Sequence, residues 1–190
     1  MLKAEFLRDK FATASAYDKY LLTGTDEQQR RWTQVYDKTI LTAAQKALVE
    51  SFTRQMKLLT VSGIWCGDCV QQVPLIQRIA EANPAKIDLR IVDRDAHKDL
   101  SGQLRLNAGD RVPTVIFMAE DDEFCALAGD RTLARYRAIA QRQLGASCST
   151  GIVPPDQDEL SLTTQDWLDE VERVQLMLRL SPRLRQKYGD

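Results

Sequence analysis

Ser62-Gly63-Ile64-Trp65-Cys66-Gly67-Asp68-Cys69 sets two thiols, two residues apart, at a change of pattern. Before it runs a short apolar segment, Lys57 to Val61. After it Val73, Ile76, Ile79 and Ala80 recur at helical spacing. The reading is strand, thiols, helix. A cysteine at the start of that helix faces unpaired backbone N–H groups and the positive end of the macrodipole, and both favour thiolate over thiol. Such placement brings a cysteine pKa from about 8.5 into a range of roughly 3.5–7.5. Cys69, one turn on, is then within reach of Cys66 for an intramolecular disulfide.

The pair has a second chemical reading, half of a structural zinc site. That site needs about four ligands in tetrahedral reach. Only Cys125, Cys148 and His97 are available to complete it, and none forms a second closely spaced pair. Redox chemistry without a bound metal or organic cofactor is therefore the expectation. Cys125, on an apolar strand pattern, reads as a small buried residue, and Cys148, in a Ser- and Thr-rich loop, as an exposed thiol available as a resolving or regulatory partner.

The rest of the composition is that of an ordinary soluble chain. Its 190 residues are 44% hydrophobic and 28% charged, enough for one ample core. A net charge of −1 supplies no field to concentrate nucleic acid or anionic lipid. The first residues carry Lys3, Glu5, Arg8, Asp9 and Lys10 and do not read as a secretory leader, and no apolar run approaches the roughly 20 residues of a membrane span. The expectation is a cytoplasmic protein with neither a nucleic-acid nor a membrane partner.

Trp65-Cys66-Gly67-Asp68-Cys69 resembles the active-site pentapeptide of the thioredoxin-like superfamily. Pro74 stands five positions after the second cysteine, where thioredoxins carry a proline in the active-site helix. Arg111-Val112-Pro113-Thr114, ahead of the apolar run Val115 to Met118, resembles the family's cis-proline segment. Gly129 matches a glycine near the active-site surface. The resemblance implies a thioredoxin-like α/β fold, with a central mixed sheet of about four strands flanked by helices and added helices at both termini. It also implies roles. Cys66 is the nucleophile and Cys69 resolves. Trp65, Val112, Pro113 and Gly129 contact substrate, while Gly67, Asp68 and Trp65 tune the site. The implied partners are a disulfide-bearing protein or small molecule and an external electron donor, a reductase or low-molecular-weight thiol.

Three departures bear on that reading. Thr60 stands where many thioredoxins bury an aspartate, and Asp68 replaces the usual proline between the cysteines. The terminal helices also cover surface that a large partner would use. Selected disulfides are therefore favoured over general protein-disulfide reduction. Two other functions fit the same fold: a binding or chaperone module, and a redox sensor with regulatory thiols.

Along the chain, residues 1–55 read as a helical segment packed on a domain at 56–145, followed by a loop and helix at 146–190, all in one compact unit. Phe6 to Leu21 reads as one helix ending near Gly24, and Thr25 and Thr42 open two more as capping boxes. Ile87–Val92 and Val112–Met118 read as strands, 96–106 as a helix, and Glu120–Glu123 as a turn into a strand at Phe124–Ala128. Leu133, Tyr136 and Ala140 form the apolar stripe of a further helix. The last helix is expected to start at Thr163, to bury Trp167, Val171, Val174 and Leu178, and to stop at Pro182. His97 and the arginines Arg131, Arg135, Arg137, Arg142, Arg179, Arg183 and Arg185, with Lys187, read as solvated surface with local ion pairs.

Overall fold

The computed structural model describes residues 2–144 and 158–189. The chain opens with helices α1 (Ala4–Thr13), α2 (Tyr17–Leu21), α3 (Asp26–Lys38) and α4 (Ala43–Glu50). Strand β1 (Met56–Ser62), helix α5 (Gly67–Ala82), strand β2 (Ile87–Asp93) and helix α6 (Lys98–Ser101) come next. Strands β3 (Thr114–Ala119) and β4 (Phe124–Gly129) precede α7 (Leu133–Leu144), α8 (Glu159–Leu180) and α9 (Pro182–Tyr188). The strands form one mixed sheet in the order β2-β1-β3-β4, with β1 and β2 parallel and the other neighbours antiparallel. This is the expected α/β architecture.

Side-chain alternation splits the apolar residues of the central strands between two clusters. Leu58, Val115 and Phe117 join Leu75, Ile79 and Trp167 in one. Leu59, Val61, Ile116 and Met118 join Trp32, Val73 and Leu100 in the other. Connectivity then fixes where chemistry can occur. The C-terminal end of β1 delivers the chain to α5, Val61 pairs with Thr114 at the start of β3, and Thr114 pairs with Gly129 at the end of β4. Cys66, Pro113 and Gly129 therefore meet at one edge of the sheet. Among the described residues no helix is long and apolar enough to cross a membrane.

Thr25 and Thr42 both form the expected capping boxes. Elsewhere the structure corrects the local reading. The first helix is broken, because Ser15 exchanges two backbone hydrogen bonds with Ile91, at 2.9 and 2.8 Å, and so covers the free edge of β2. The helix expected over 96–106 shrinks to Lys98–Ser101. Asp93 takes the N–H groups of Asp95 and Ala96, and Leu106 and Gly109 close a turn through Asn107 and Ala108 at positive φ. Helix α8 starts at Glu159 under Asp158, with the Thr163 and Thr164 hydroxyls bonding back to the Glu159 and Leu160 carbonyls inside the helix. Pro182 does end α8, but it also opens α9, capped by Ser181.

The α7 stripe is also different. Leu133 and Tyr136 are exposed, and Ala134 is the residue that packs inward. Cys125 is only half-buried on β4. The loop expected from 146, and Cys148 within it, lie outside the described residues.

Candidate functional site

Cys66 is the N-cap of α5 in extended backbone, with its N–H bonded to Gly63 O at 2.9 Å and its carbonyl taking Val70 N–H at 3.0 Å. Cys66 and Cys69 lie 3.6 Å apart as free thiols. Their surroundings differ. Cys66 is half-exposed, and its sulfur sits 3.5 Å from the Val112 carbonyl oxygen. Cys69 is fully buried in the second apolar cluster, with Gly63 N–H 3.5 Å from its sulfur.

A hydrogen bond from Cys69, opposed by partial burial but joined by the backbone N–H groups of Cys69 and Asp68, brings the Cys66 thiol down to about 6. Burial drives Cys69 the other way, well above the ordinary thiol range, and the neighbouring Cys66 adds to that rise. The two sulfurs are thus biased in opposite directions, the half-exposed Cys66 toward thiolate and the buried Cys69 toward thiol. Nucleophile and resolving thiol differ in that same way.

The residues around the pair come from separate elements. The Val112–Pro113 peptide is cis, and both residues are buried. Gly129 packs so closely that a Cβ there would stand 2.4 Å from Pro113 O, and its φ of +140° is a conformation for glycine. Trp65 is 50% exposed beside Cys66, with the Arg94 guanidinium 4.6 Å from its ring centroid. Gly67 has open space where a side chain would begin. Thr60 is fully buried in β1. His97 approaches Lys10, with Nδ1 at 3.3 Å from Nζ, away from the thiols. Among the described residues no three His, Cys, Asp or Glu side chains stand together as a metal site.

Asp68 is not solvated between the thiols. Burial pushes its carboxyl up, but hydrogen bonds from Arg131 and Arg135, and their charges, outweigh that and hold it below the ordinary carboxylate value. Sequence reasoning had put both arginines on a solvated face. It also passed over Gln72, whose only signal is a polar residue on the apolar side of α5. The fully buried Gln72 donates to Asp130 O at 2.8 Å and accepts from Thr132 N–H and Trp167 Nε1, each at 3.2 Å. Trp32 of α3 is fully buried, and its Nε1 donates to Ile64 O at 3.0 Å, just ahead of the thiols. Of the other basic residues on that reading, Arg142 pairs with Glu159, and Arg183 and Lys187 pair with Asp121.

A family model described as Thioredoxin matches residues 14–132. No curated protein matches the sequence. Among solved structures, the chain is similar to a Pseudomonas aeruginosa protein of unknown function, at 20% identity and a TM-score of 0.69 over 91% of this chain and 99% of that one. It is also similar to an HIV epitope scaffold, at 18% identity and a TM-score of 0.66 over 87% and 97% of the two chains. Both likenesses concern the fold.

Proposed function

The chain belongs to the thioredoxin family, and from that premise we propose that it is a thiol-disulfide oxidoreductase working through Cys66 and Cys69. The observation that carries the reading is the asymmetry of the pair, a half-exposed thiol lowered to about 6 against a buried neighbour raised above the ordinary range. Cys66 thiolate attacks one sulfur of a substrate disulfide, forms a mixed disulfide and expels the first substrate thiolate. Cys69, losing its proton, then attacks Cys66 sulfur and releases the second substrate thiol. Two electrons pass from the dithiol to the substrate, and a Cys66–Cys69 disulfide remains. A low-molecular-weight thiol or a reductase returns the two electrons.

The substrate lies along Trp65 and the Val112–Pro113 backbone, against which Gly129 packs from β4. The class of substrate is a protein or small-molecule disulfide, and the compartment the cytoplasm. Turnover of bis(2-hydroxyethyl) disulfide and of a disulfide-bonded protein, with dithiothreitol as donor, tests this reading. Cys66→Ser is expected to abolish both, and undiminished turnover in that variant removes Cys66 as the nucleophile. Cys69→Ser is expected to accumulate the mixed disulfide on Cys66, detectable as added mass.

A second reading, a redox sensor, is favoured by one observation: Arg135 links Asp68 beside the thiols to Glu159 at the start of α8. It predicts that oxidation alters limited proteolysis at the C-terminal helices. An identical cleavage pattern in both redox states removes it.

A further inference from the structure

We propose that Arg131 and Arg135 are positioning residues for Cys66: they grip the Asp68 carboxylate from two sides and offset its charge, so that an acid placed between the thiols opposes formation of the thiolate less than a free carboxylate would. The proposal rests on the reading of Cys66 as the attacking thiol. Asp68 lies in the first turn of α5. One of its carboxylate oxygens takes Arg131 Nε at 2.9 Å and Nη2 at 2.7 Å, and the other takes Arg135 Nη2 at 2.9 Å. Side-chain exposures of 17% for Asp68, 25% for Arg131 and 12% for Arg135 take all three largely out of water. Ion pairs so shielded act more strongly than pairs on an open surface.

The grip is built in advance from both directions. Arg131 lies between Asp130 and Thr132, and Gln72, one turn beyond Asp68 on the same helix, bonds the carbonyl of the first and the N–H of the second. The backbone carrying Arg131 is thereby pinned to α5. Gln72 also bonds the Asp68 carbonyl, at 3.3 Å. Arg135 is held at its other end by Glu159 of α8, which Arg142 also contacts at 2.7 Å.

The remaining groups facing Cys66 can be named by element. Cys69 stands beside it on α5, Tyr20 approaches from α2, and Arg94 from just beyond β2. Among the described residues none of these side chains bonds the Asp68 carboxylate, so its charge is answered by the two arginines, of which Arg131 also faces Asp130 at 4.0 Å and Arg135 also binds Glu159. A carboxylate held this way stays ionised at neutral pH and is a poor acceptor for the Cys69 proton. The arrangement therefore assigns Asp68 a structural charge, not a general base.

The test follows the pH dependence of Cys66 alkylation by iodoacetamide in the full chain, read by mass spectrometry at Cys66 in the peptide that carries it, so that the other cysteines do not contribute. Arg131→Gln/Arg135→Gln is expected to raise the apparent Cys66 pKa by about 1 unit. Adding Asp68→Asn to that double variant is expected to bring it back, a reversal that a merely structural role does not produce. Arg131→Lys/Arg135→Lys keeps the charge and is expected to retain most of the parental value. Should the Gln double variant fail to fold by circular dichroism, Asp68→Asn alone carries the test, with a lowered pKa expected because two cations are left near the sulfur. An unmoved pKa in the folded Gln double variant overturns the proposal, as does a rise that Asp68→Asn leaves in place. A parental Cys66 that titrates near the free value of about 8.5 instead defeats the reading of Cys66 as the attacking thiol.

Discussion

On one side of the thiols, α3 reaches the loop before Cys66 through one buried, uncharged hydrogen bond, from Trp32 to the Ile64 carbonyl, backed by Tyr17 and Tyr20 packed against the indole. On the other side, the segment leading into α7, α7 and α8 reach the first turns of α5 through Arg131, Arg135 and Glu159, and the buried Gln72 of α5 bonds Trp167 of α8. The first contact fixes where the backbone lies, and apolar burial holds it there. The second sets the charge the sulfur meets. Stability and reactivity are therefore governed from opposite flanks, and substitutions on the two sides should differ in kind as well as in size.

The largest expected effect breaks the α3 side. Trp32→Ala removes a fully buried indole and leaves the Ile64 carbonyl unpaired, so urea denaturation should show a loss of about 3–5 kcal/mol. A loss below about 1 kcal/mol would show that α3 is not the anchor of the loop. Next comes Gln72→Leu, which keeps the volume but strands the Asp130 carbonyl, the Thr132 N–H and the Trp167 Nε1 inside the protein. A loss of about 2–3 kcal/mol is expected by the same measurement.

A smaller effect concerns pH. Cys66 lies lower in the folded protein, at about 6, than its ordinary 9.0, so between these values the unfolded chain binds more protons than the folded one. Stability of the reduced protein should then rise with pH across that window and be lost as pH falls through the folded value. Cys69, raised by burial, opposes this only above the ordinary thiol range. Denaturation midpoints of the reduced protein at intervals from about pH 5 to 8.5 check the slope, which Cys66→Ser should flatten. The smallest effect sits at the outer end of the charged flank. Arg142 is 56% exposed, and Arg142→Gln should cost less than about 0.5 kcal/mol and leave turnover unchanged.

The four strands, the thiols at the strand-to-helix junction and the two threonine capping boxes were legible because each is a local signal, a period or a short-range side-chain bond. The paired features were not. Nothing in the spacing of Arg131 and Arg135 distinguishes a solvated face from a grip on Asp68, since the distinction arises only when the start of α7 is brought to the first turn of α5. Gln72 occupies a position that helical periodicity assigns to the core and residue type assigns to water, and three partners from other elements resolve the conflict. Ser15 interrupts a helical pattern for a reason that lies in β2. At 96–106 a helical pattern gives way to the Asp93 turn and to Asn107 and Ala108 at positive φ, which periodicity does not register.

The placement of the aromatic residues gives the molecule an optical property. Of its three tryptophans, Trp32 and Trp167 are 0% and 1% exposed, while Trp65, adjacent to Cys66, is 50% exposed with a guanidinium over its ring. A collisional quencher such as iodide will reach one indole and leave two emitting. The quenchable fraction of the fluorescence is consequently a signal from the thiol site alone, and occupation of that face by any molecule will register as light that iodide no longer removes.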